Sequence, residues 1–280
     1  MERVKGRTAV ITGAASGIGA GLAQSFSQAG INLLLSDVEE AALEKTTEQL
    51  KKNSGAHIVS HVADVSEASQ VESLAEFAFS EFGTVNILCN NAGVIENNKP
   101  AWEYDMNDWE WVLNVNLMGV VHGVKSFVPK MLRQEEPSHI VNTASIGGLV
   151  TGSATPIYVV SKHAVVALSE CLCNSFERET ADISVSVLCP GWVDTNIADS
   201  DRNRKNNPVL DDSGKRSREK FKAGVKSGIS PNEVGKMVLS AILEKRFYIM
   251  THPEWSVHIE ERFKAIAKGH KAARTLLPRG

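Results

Sequence analysis

A tyrosine and a lysine four residues apart, Tyr158 and Lys162, are the residues whose types and spacing most directly suggest chemistry. They begin a helix-like segment, Tyr158–Phe176, and the spacing places both side chains on one helical face. A free tyrosine, with a pKa of about 10, is a poor base at neutral pH. We expect the Lys162 ammonium to lower the pKa of Tyr158, so that the phenolate can take a proton from an alcohol as hydride leaves carbon. The pair alone fits a solvated helix face equally well.

A glycine-rich turn follows the first apolar run of the chain, Thr8–Ile11. It reads Thr12-Gly13-Ala14-Ala15-Ser16-Gly17-Ile18-Gly19, and its glycines are spaced G-x-x-x-G-x-G rather than G-x-G-x-x-G. Between a strand and a helix, such a turn lets the backbone and the positive end of the helix approach a diphosphate. Glycines also end strands for steric reasons alone, so the turn by itself leaves both interpretations open.

An acidic residue, Asp37, ends the second apolar run, 18 residues beyond Gly19. A carboxylate there can accept hydrogen bonds from both adenosine ribose hydroxyls, and it repels a 2′-phosphate. The alternative is that Asp37 caps the helix that begins near Glu39. Because strand, glycine turn and acid occur together, the sequence favours the ribose role and predicts NAD rather than NADP.

Four motifs together resemble the short-chain dehydrogenase/reductase family in order and spacing. They are the glycine turn at residues 12–19, Asn90-Asn91-Ala92-Gly93, Ser145, and Tyr158 with Lys162. The resemblance extends from about Lys5 to Thr195. It implies a three-layered Rossmann fold and an NAD-dependent alcohol dehydrogenase or ketone reductase. Where the family's NADP users often carry a basic residue, this chain has Ser16 and Val38, in agreement with Asp37.

The resemblance also implies roles for single residues. Tyr158 would be the catalytic acid/base, Lys162 would tune it and bind the nicotinamide ribose, and Ser145 would hydrogen-bond the substrate oxygen. Asn116 would hold a water that links Lys162 to solvent. The implied cofactor-binding residues are Gly13, Ser16, Gly17, Ile18, Gly19, Asp37, Asp64, Val65, Asn91, Tyr158, Lys162, Pro190, Gly191, Val193 and Thr195. Asp64 and Val65 would contact the adenine, and Asn91 would support the cofactor and the central strand. Pro190–Gly191 with Thr195 would contact the nicotinamide carboxamide. Two alternatives remain open, since Ser145 could simply end a strand and Asn116 could cap or kink its helix.

Short apolar runs alternate with helical patterns as far as about residue 190. The predicted strands are Thr8–Ile11, Ile31–Leu35, His57–Val62, Val85–Cys89, His139–Val141 and Ile183–Leu188, with a last one at Phe247–Met250. The predicted helices include Ala41–Leu50, Val71–Phe82, Trp109–Leu132, Tyr158–Phe176, Pro231–Leu243 and Trp255–Lys268. This alternation predicts an α/β fold, a doubly wound parallel sheet covered by helices on both faces. We expect residues 1–280 to form a single domain, with 253–280 as its C-terminal helix and tail.

Composition excludes several classes of function. The chain has 280 residues, 42% of them hydrophobic, and a formal charge of only −3. Its net charge therefore gives no overall attraction to nucleic acid or to an acidic membrane surface. We expect no signal peptide, no spanning helix and a cytoplasmic location. The histidines show no metal-ligand spacing, and we predict no metal. The four cysteines, Cys89, Cys171, Cys173 and Cys189, lie in apolar stretches and are interpreted as buried, inert thiols.

The segment Asp194–Lys222 is polar and poor in periodicity, which predicts a substrate-binding lid or mobile loop. Its basic residues outnumber its acidic ones and could instead attract an anionic substrate or partner, although charge-dense segments are more often solvated. The basic residues are Arg202, Arg204, Lys205, Lys215, Arg216, Arg218, Lys220 and Lys222.

Substrate and assembly are predicted from apolar residues. Leu149, Val150, Trp192, Val193 and Ile197, with Trp102 and Trp255 from elsewhere, suggest a bulky hydrophobic or aromatic alcohol. The helix after Tyr158 is apolar on more than one face, which predicts a homodimer or homotetramer; coverage by the C-terminal segment is the alternative. Two other functions stay open: an NADPH-dependent ketoreductase, and a catalytically silent NAD-binding scaffold or sensor.

Overall fold

A parallel sheet of seven strands forms the centre of the part of the chain that the computed structural model describes, residues 4–152, 154–204, 210, 212–269 and 272. The strands are β1 (Thr8–Thr12), β2 (Asn32–Asp37), β3 (Ile58–Val62), β4 (Ile87–Asn90), β5 (Ser138–Thr143), β6 (Ile183–Cys189) and β7 (Tyr248–Met250). Their order across the sheet is β3-β2-β1-β4-β5-β6-β7. Each predicted strand corresponds to one of these, with ends that differ by one or two residues.

Helices cover both faces of the sheet. The described helices are α1 (Gly17–Gln28), α2 (Glu40–Asn53), α3 (Ala68–Phe82), α4 (Met106–Leu113), α5 (Gly119–Arg133), α6 (Pro156–Arg178), α7 (Asp212–Lys226), α8 (Pro231–Glu244) and α9 (Ser256–Ala267). Apolar side chains of α1, α2 and α8 share one core with the sheet, and those of α3, α5 and α6 share the core on the opposite face. The prediction of a doubly wound α/β fold is therefore confirmed.

The strand order reverses between β1 and β4, which are neighbours in the sheet although β2 and β3 lie between them in sequence. From β1 the chain winds outward to β3, and from β4 it winds the other way to β7. Ligands of open α/β sheets bind in the crevice that such a reversal leaves at the carboxyl ends of the strands. The glycine turn and the Asn90–Gly93 motif both lie at this edge, directly after β1 and β4.

The segment predicted as one helix, Trp109–Leu132, is interrupted. Helix α4 ends at Leu113, a π-helical turn spans Asn114–Met118, and α5 begins at Gly119. The apolar period continues through the turn, so the pattern could not reveal it. Single π turns are rare and concentrate at functional sites, which directs attention to Asn116 in its middle.

The predicted lid contains regular structure that the sequence did not indicate. Ile197–Asn203 is a 3-10 segment and α7 spans Asp212–Lys226, whereas residues 205–209 and 211 of the predicted lid lie outside the described residues. Within α7 Val225 is the buried residue. The sequence of this helix therefore shows no apolar stripe of the kind by which an amphipathic helix is predicted. At the C-terminus α9 is described, and most of the predicted tail, 270–271 and 273–280, lies outside the described residues.

The long helix α6 has one buried face and one face that stays open. Ile157, Val165, Val166 and Phe176 are buried, whereas Val160 is exposed. Among the described residues, α6 is the one helix that is long and apolar enough to cross a membrane. Core helices of soluble proteins meet the same criteria of length and composition. The prediction that all four cysteines are buried was wrong for two of them. Cys171 is exposed and Cys173 is half-buried, whereas Cys89 and Cys189 are buried.

Candidate functional site

The glycine turn brings the end of β1 against the segment that follows β4. Gly13 has a φ of +67°, which favours glycine, and a Cβ atom there would lie 2.8 Å from the Ala92 Cα. A Cβ atom at Gly19 would lie 2.0 Å from the Gly13 carbonyl oxygen, so this glycine lets α1 begin close beneath the turn. Gly13, Ser16, Gly17 and Ile18 line a cleft in front of the helix, while Gly19 lies behind them.

Asp37 lies at the end of β2, on the wall of the same cleft. Its Oδ2 accepts a hydrogen bond from the Ala15 N–H at 2.9 Å, and its Oδ1 accepts one from the Glu39 N–H at 3.1 Å. Burial raises the pKa of Asp37, and these hydrogen bonds oppose the rise. The residue at the N-cap position of α2 is Glu39, so Asp37 is not the cap of that helix.

Asn91 ties three strands together at the point where the sheet order reverses. Its side-chain amide donates to the Thr12 carbonyl at 2.9 Å, and its Oδ1 accepts from the Thr143 hydroxyl at 3.2 Å. Its backbone N–H donates to the Thr12 hydroxyl at 3.0 Å. These bonds fix the ends of β1, β4 and β5 relative to one another, and the support of the cofactor by Asn91 stays a prediction.

Ser145, Tyr158 and Lys162 converge beyond the end of β5. Ser145 is buried two residues after the strand, and its Oγ accepts from the Gly147 N–H at 3.0 Å. Tyr158 and Lys162 lie in the first two turns of α6, and the Lys162 Nζ lies 5.5 Å from the Tyr158 ring centroid. The Lys162 Nζ donates to the Thr143 carbonyl at 2.9 Å, and its side chain is almost wholly buried.

Burial shifts the pKa values of both Tyr158 and Lys162. Burial raises the pKa of Tyr158 to about 12, and its hydrogen bond with Ser145 opposes the rise. Burial also lowers the pKa of Lys162 to about 8. The expected fall in the Tyr158 pKa was wrong in direction, because removing the phenolate from water outweighs the hydrogen bond with Ser145, and the effect of the Lys162 charge on Tyr158 stays a prediction.

Asn116 lies fully buried within the π turn and holds the segment after β4 against α6. Its Oδ1 accepts from the Val94 N–H at 2.8 Å, and its Nδ2 donates to the Val94 carbonyl at 2.9 Å and to the Ser161 hydroxyl at 3.0 Å. These contacts keep Asn116 off the walls of the cleft. The expected water relay through this residue stays a prediction.

The segment after β6 forms another wall of the site. Pro190 and Thr195 line the cleft, while Gly191 and Val193 face only the neighbouring cavity described below. The Gly191 N–H donates to the Thr251 hydroxyl at 3.0 Å, so the segment that follows β7 fixes this wall. Asp64 and Val65, after β3, line the opposite end of the cleft.

Two cavities meet at Tyr158. The cleft has a volume of about 540 Å³ and is lined by the glycine turn, Asp37, Asp64, Val65, Asn91 and Lys162. The second cavity, of about 440 Å³, is lined by Ser145 and by residues of the lid and α7. Tyr158 lines both. Among the predicted site residues, Gly19 and Asn116 line neither cavity.

The second cavity is mostly apolar. Val150, Trp192, Ile197 and Trp255 line it as expected, and Phe221 and Val225 join them from α7, with the Trp192 and Phe221 rings edge to face at 5.7 Å. Two expectations were wrong: Trp102 is 85% exposed and away from the cavity, and Leu149 packs in the core instead.

Charged side chains connect the segment predicted as a lid to residues beside the cleft. Arg202 pairs with Glu39, two residues after Asp37, and Arg204 forms a buried pair with Asp108 of α4. Arg218 of α7 pairs with Asp201 and donates to the Ala198 carbonyl at 3.0 Å. Several members of the predicted basic cluster thus form ion pairs within this segment or with the rest of the protein.

Sequence reasoning missed Glu96, Ser200 and Thr251. Ser200 and Thr251 act through long-range hydrogen bonds, to Ile95 and Gly191, that no local pattern indicates. Glu96, with about 5% of its surface exposed, had one available signal, since it is a carboxylate a few residues beyond the Asn90–Gly93 motif. Within the described residues, no group of three or more His, Cys, Asp or Glu side chains is arranged to hold a metal ion.

Comparison with known proteins agrees with this geometry. The family model described as short chain dehydrogenase matches residues 7–206. A CLA biosynthesis dehydrogenase/reductase of Lactiplantibacillus plantarum is 33% identical over 273 residues, with 95% of each chain covered. A 1-deoxy-11-beta-hydroxypentalenate dehydrogenase of Streptomyces avermitilis is 34% identical, covering 92% of this chain and 89% of the other. The crystal structure of a short-chain dehydrogenase/reductase from Burkholderia phymatum in complex with NAD is similar, with a TM-score of 0.95, 40% identity and 99% and 100% of the two chains covered. This chain belongs to the short-chain dehydrogenase/reductase family of oxidoreductases.

Proposed function

We propose that this chain is an NAD-dependent dehydrogenase or ketone reductase, acting on a bulky, apolar secondary alcohol or ketone. The observation that carries the proposal is that Tyr158 lines both cavities, the polar cleft and the apolar one. A proton donor and acceptor at that junction serves the cofactor side and the substrate side together.

Ser145 and Tyr158 would handle the substrate oxygen. In oxidation the Tyr158 phenolate takes the hydroxyl proton, and in reduction the Tyr158 phenol returns it to the carbonyl oxygen. Ser145 donates a hydrogen bond to that oxygen and keeps it within reach of Tyr158, a role supported by the hydrogen bond between the two side chains. NAD, when bound, supplies the carbon that exchanges hydride with the substrate.

Lys162 and Asn116 would prepare Tyr158 for proton transfer. The Lys162 ammonium is anchored on the Thr143 carbonyl beneath the cleft, where it can stabilise the phenolate and donate to a ribose hydroxyl. Asn116 holds the Val94 backbone and would support a proton path from the buried Lys162 amine to solvent. Gly93 lies between the two side chains, since a Cβ atom there would be 3.4 Å from the Lys162 Nζ and 3.5 Å from the Asn116 Oδ1.

The cleft fits NAD. Asp37 uses one acceptor position on each oxygen for a backbone N–H, which leaves further lone pairs for the two hydroxyls of a ribose. Asp64 and Val65 would flank the adenine, and Ser16, Gly17 and Ile18, at the start of α1, would receive the diphosphate. The segment from Pro190 to Thr195 would hold the carboxamide.

NADP is the second candidate cofactor, and one observation favours it. Arg202 reaches the adenosine end of the cleft, where a guanidinium could pair with a 2′-phosphate. Arg202 is already paired with Glu39, however, and a phosphate there would meet the Asp37 carboxylate. This balance favours NAD.

The apolar cavity supports a bulky substrate. Three aromatic rings, those of Trp192, Phe221 and Trp255, line a volume of about 440 Å³, which suits an aryl, terpenoid or steroid alcohol better than a small polar sugar. The similar protein from Streptomyces avermitilis is a hydroxypentalenate dehydrogenase by name, in line with a hydroxyl on a larger molecule.

The segment Asp194–Lys222 would act as a lid that excludes water during the reaction. Its contacts with Glu39 and Asp108 span the cleft, and Phe221 covers the cavity. Hydrogen exchange in the free protein and in the complex with cofactor and substrate tests this role. We expect protection of the lid amides to rise on binding. Rapid exchange in both states would make the segment a surface loop, and slow exchange in both would make it a fixed wall.

Two further proposals concern the assembly and the location of the protein. Val160 and Cys171 on the open face of α6 are available to a second copy of the chain, and we propose a homodimer or homotetramer. We also propose a cytoplasmic enzyme whose ligands are small molecules rather than nucleic acid or membrane.

Turnover distinguishes these functions from a silent NAD-binding scaffold. Purified protein is mixed with NAD or NADP and a panel of aryl, terpenoid and steroid alcohols, and absorbance of the reduced cofactor is followed. We expect reduction of NAD with at least one bulky alcohol, and none with Tyr158→Phe. NAD binding without turnover across the panel would favour the scaffold, and faster reduction of NADP would favour the ketoreductase.

A further inference from the structure

A buried carboxylate, that of Glu96, contacts the start of the helix that carries Tyr158. Its Oε1 accepts a hydrogen bond from the Ile157 N–H at 2.9 Å, and its Oε1 and Oε2 accept from the Tyr158 N–H at 3.2 and 3.1 Å. Glu96 also lines the apolar cavity. None of the roles proposed above uses it.

Helix α6 needs an acceptor at this end. The first N–H groups of a helix have no partner within the helix, and Thr155, at the N-cap position, makes no side-chain cap. Pro156, the first residue of α6, has no N–H, so Ile157 and Tyr158 carry the first free donors. Glu96 supplies the missing cap from about 60 residues away, and its negative charge suits the positive end of the helix.

The segment around Glu96 is held from both sides, so the carboxylate is not free to follow the helix. The Val94 backbone is bonded through both its N–H and its carbonyl to the Asn116 side chain. The Ile95 backbone is bonded in the same way to the Ser200 hydroxyl of the lid, at 3.0 and 3.1 Å. The Asn97 carbonyl accepts from the Tyr104 hydroxyl at 2.6 Å.

We infer that Glu96 is a positioning residue for the reaction: its carboxylate fixes the first turn of α6 and so holds the Tyr158 hydroxyl between the two cavities. The inference rests on the proposed function. It assigns Glu96 no contact with the reacting atoms, and it makes the lid, through Ser200 and Ile95, part of the same support.

The charge of Glu96 has a second effect, which gives the test its direction. It raises the pKa of Tyr158, in addition to the larger effect of burial. The other groups near the phenol are Lys162 on α6, Ser145 after β5 and the Cys189 thiol at the end of β6. Burial raises the pKa of Glu96 itself, the bonds from Ile157 and Tyr158 oppose the rise, and Asp108 adds to it. A neutral residue at position 96 therefore weakens the support and lowers the pKa of Tyr158 together.

Two variants and a control separate these effects. Glu96→Gln keeps the size and one acceptor oxygen, and Glu96→Ala removes the cap that Ile157 and Tyr158 use. Glu103→Gln is the control and removes an exposed carboxylate seven residues further along the chain. We expect kcat to fall about tenfold or more in Glu96→Ala, with little change in the Kd of NAD. In Glu96→Gln the pH profile of alcohol oxidation should move to lower pH, by on the order of half a pH unit. Glu103→Gln should match the wild type in both.

A readout that needs no substrate accompanies the kinetics. With tyrosine labelled at the ring carbon that bears oxygen, NMR follows the ionisation of Tyr104, Tyr158 and Tyr248, and Tyr158→Phe identifies the relevant signal. In Glu96→Gln the Tyr158 signal should begin to move at lower pH than in the wild type, while that of Tyr248 stays in place. If kcat falls while the pH profile and the NMR titration stay as in the wild type, Glu96 has only a general structural role. An unchanged kcat would refute the inference. An inactive wild type would refute the proposed function instead, and the NMR titration would still test the effect of the Glu96 charge.

Discussion

Lys162 should make the folded protein less stable at neutral pH, and its replacement by methionine should therefore stabilise the fold while it abolishes activity. The side chain is 2% exposed, and burial lowers its pKa from an ordinary 10.5 to about 8. Methionine has a similar length and no charge, so Lys162→Met removes the cost of burying an ammonium without leaving a large cavity.

The magnitude follows from the difference between the two pKa values. Each unit corresponds to about 1.4 kcal/mol, so the fall from 10.5 to about 8 costs roughly 3 kcal/mol at pH 7. Lys162→Met also loses the hydrogen bond to the Thr143 carbonyl, which lowers the free energy of unfolding by about 1–2 kcal/mol and offsets part of this gain. We expect a net gain of about 1–2 kcal/mol, which raises Tm by roughly 2–8 °C at about 2–4 °C per kcal/mol.

The sign of the pH dependence is fixed by the same values. Between pH 8 and 10.5 the unfolded chain keeps the lysine proton and the folded chain releases it, so the wild type gains stability as pH rises. The cost is fully present below pH 8 and is lost as pH approaches 10.5. The advantage of Lys162→Met should therefore shrink by about 2 kcal/mol between pH 7 and pH 9.5 and then change sign.

Thermal and urea denaturation of the wild type and Lys162→Met at pH 7 and 9.5 measure this difference. Lys125→Met is the matched control, since Lys125 is exposed on α5 and should change stability by no more than about 0.5 kcal/mol. A Lys162→Met protein that is less stable than the wild type by the same amount at both pH values would refute the reasoning. It would mean that the buried ammonium is well paired in the folded protein.

Three further predictions concern the site and the lid. Tyr158→Phe should reduce kcat by at least about 10²-fold with an unchanged Kd for NAD by calorimetry, and substantial residual turnover would argue against Tyr158 as the base. Asp37→Ser with Val38→Arg should reverse the ratio of kcat/KM for NAD and NADP, and a wild type that already prefers NADP would contradict the role of Asp37. Arg204→Ala should destabilise the fold by about 3 kcal/mol in urea denaturation, because Asp108 stays buried without its partner; a change below about 0.5 kcal/mol would show that the pair contributes little.

The sheet and the reacting residues could be predicted because their signals are local. Each strand is a short apolar run, and the spacing of Tyr158 and Lys162 suffices to place both on one face of α6. The glycine turn and Asp37 follow successive strands, so a parallel sheet brings them to the same edge. These features need no knowledge of distant contacts.

The supports of the site could not be predicted, because their partners are far away in sequence. Glu96 contacts Tyr158 across 62 residues, and Ser200 contacts Ile95 across 105. Helix α7 was not predicted because its sequence has no apolar stripe. Its surface carries charged pairs such as Lys215 with Asp212, and little of it is buried. The direction of the Tyr158 pKa was wrong because the spacing shows the neighbouring ammonium and does not show the burial.

Transfer of a carbinol deuterium to NAD tests the central claim most directly. Secondary aryl, terpenoid and steroid alcohols labelled with deuterium at the carbinol carbon are incubated with NAD and the enzyme, and the reduced cofactor is examined by mass spectrometry. We expect the wild type to form reduced NAD that is one mass unit heavier than unlabelled reduced NAD, and Tyr158→Phe to form none. Unlabelled reduced cofactor, or label carried only by NADP, would contradict it.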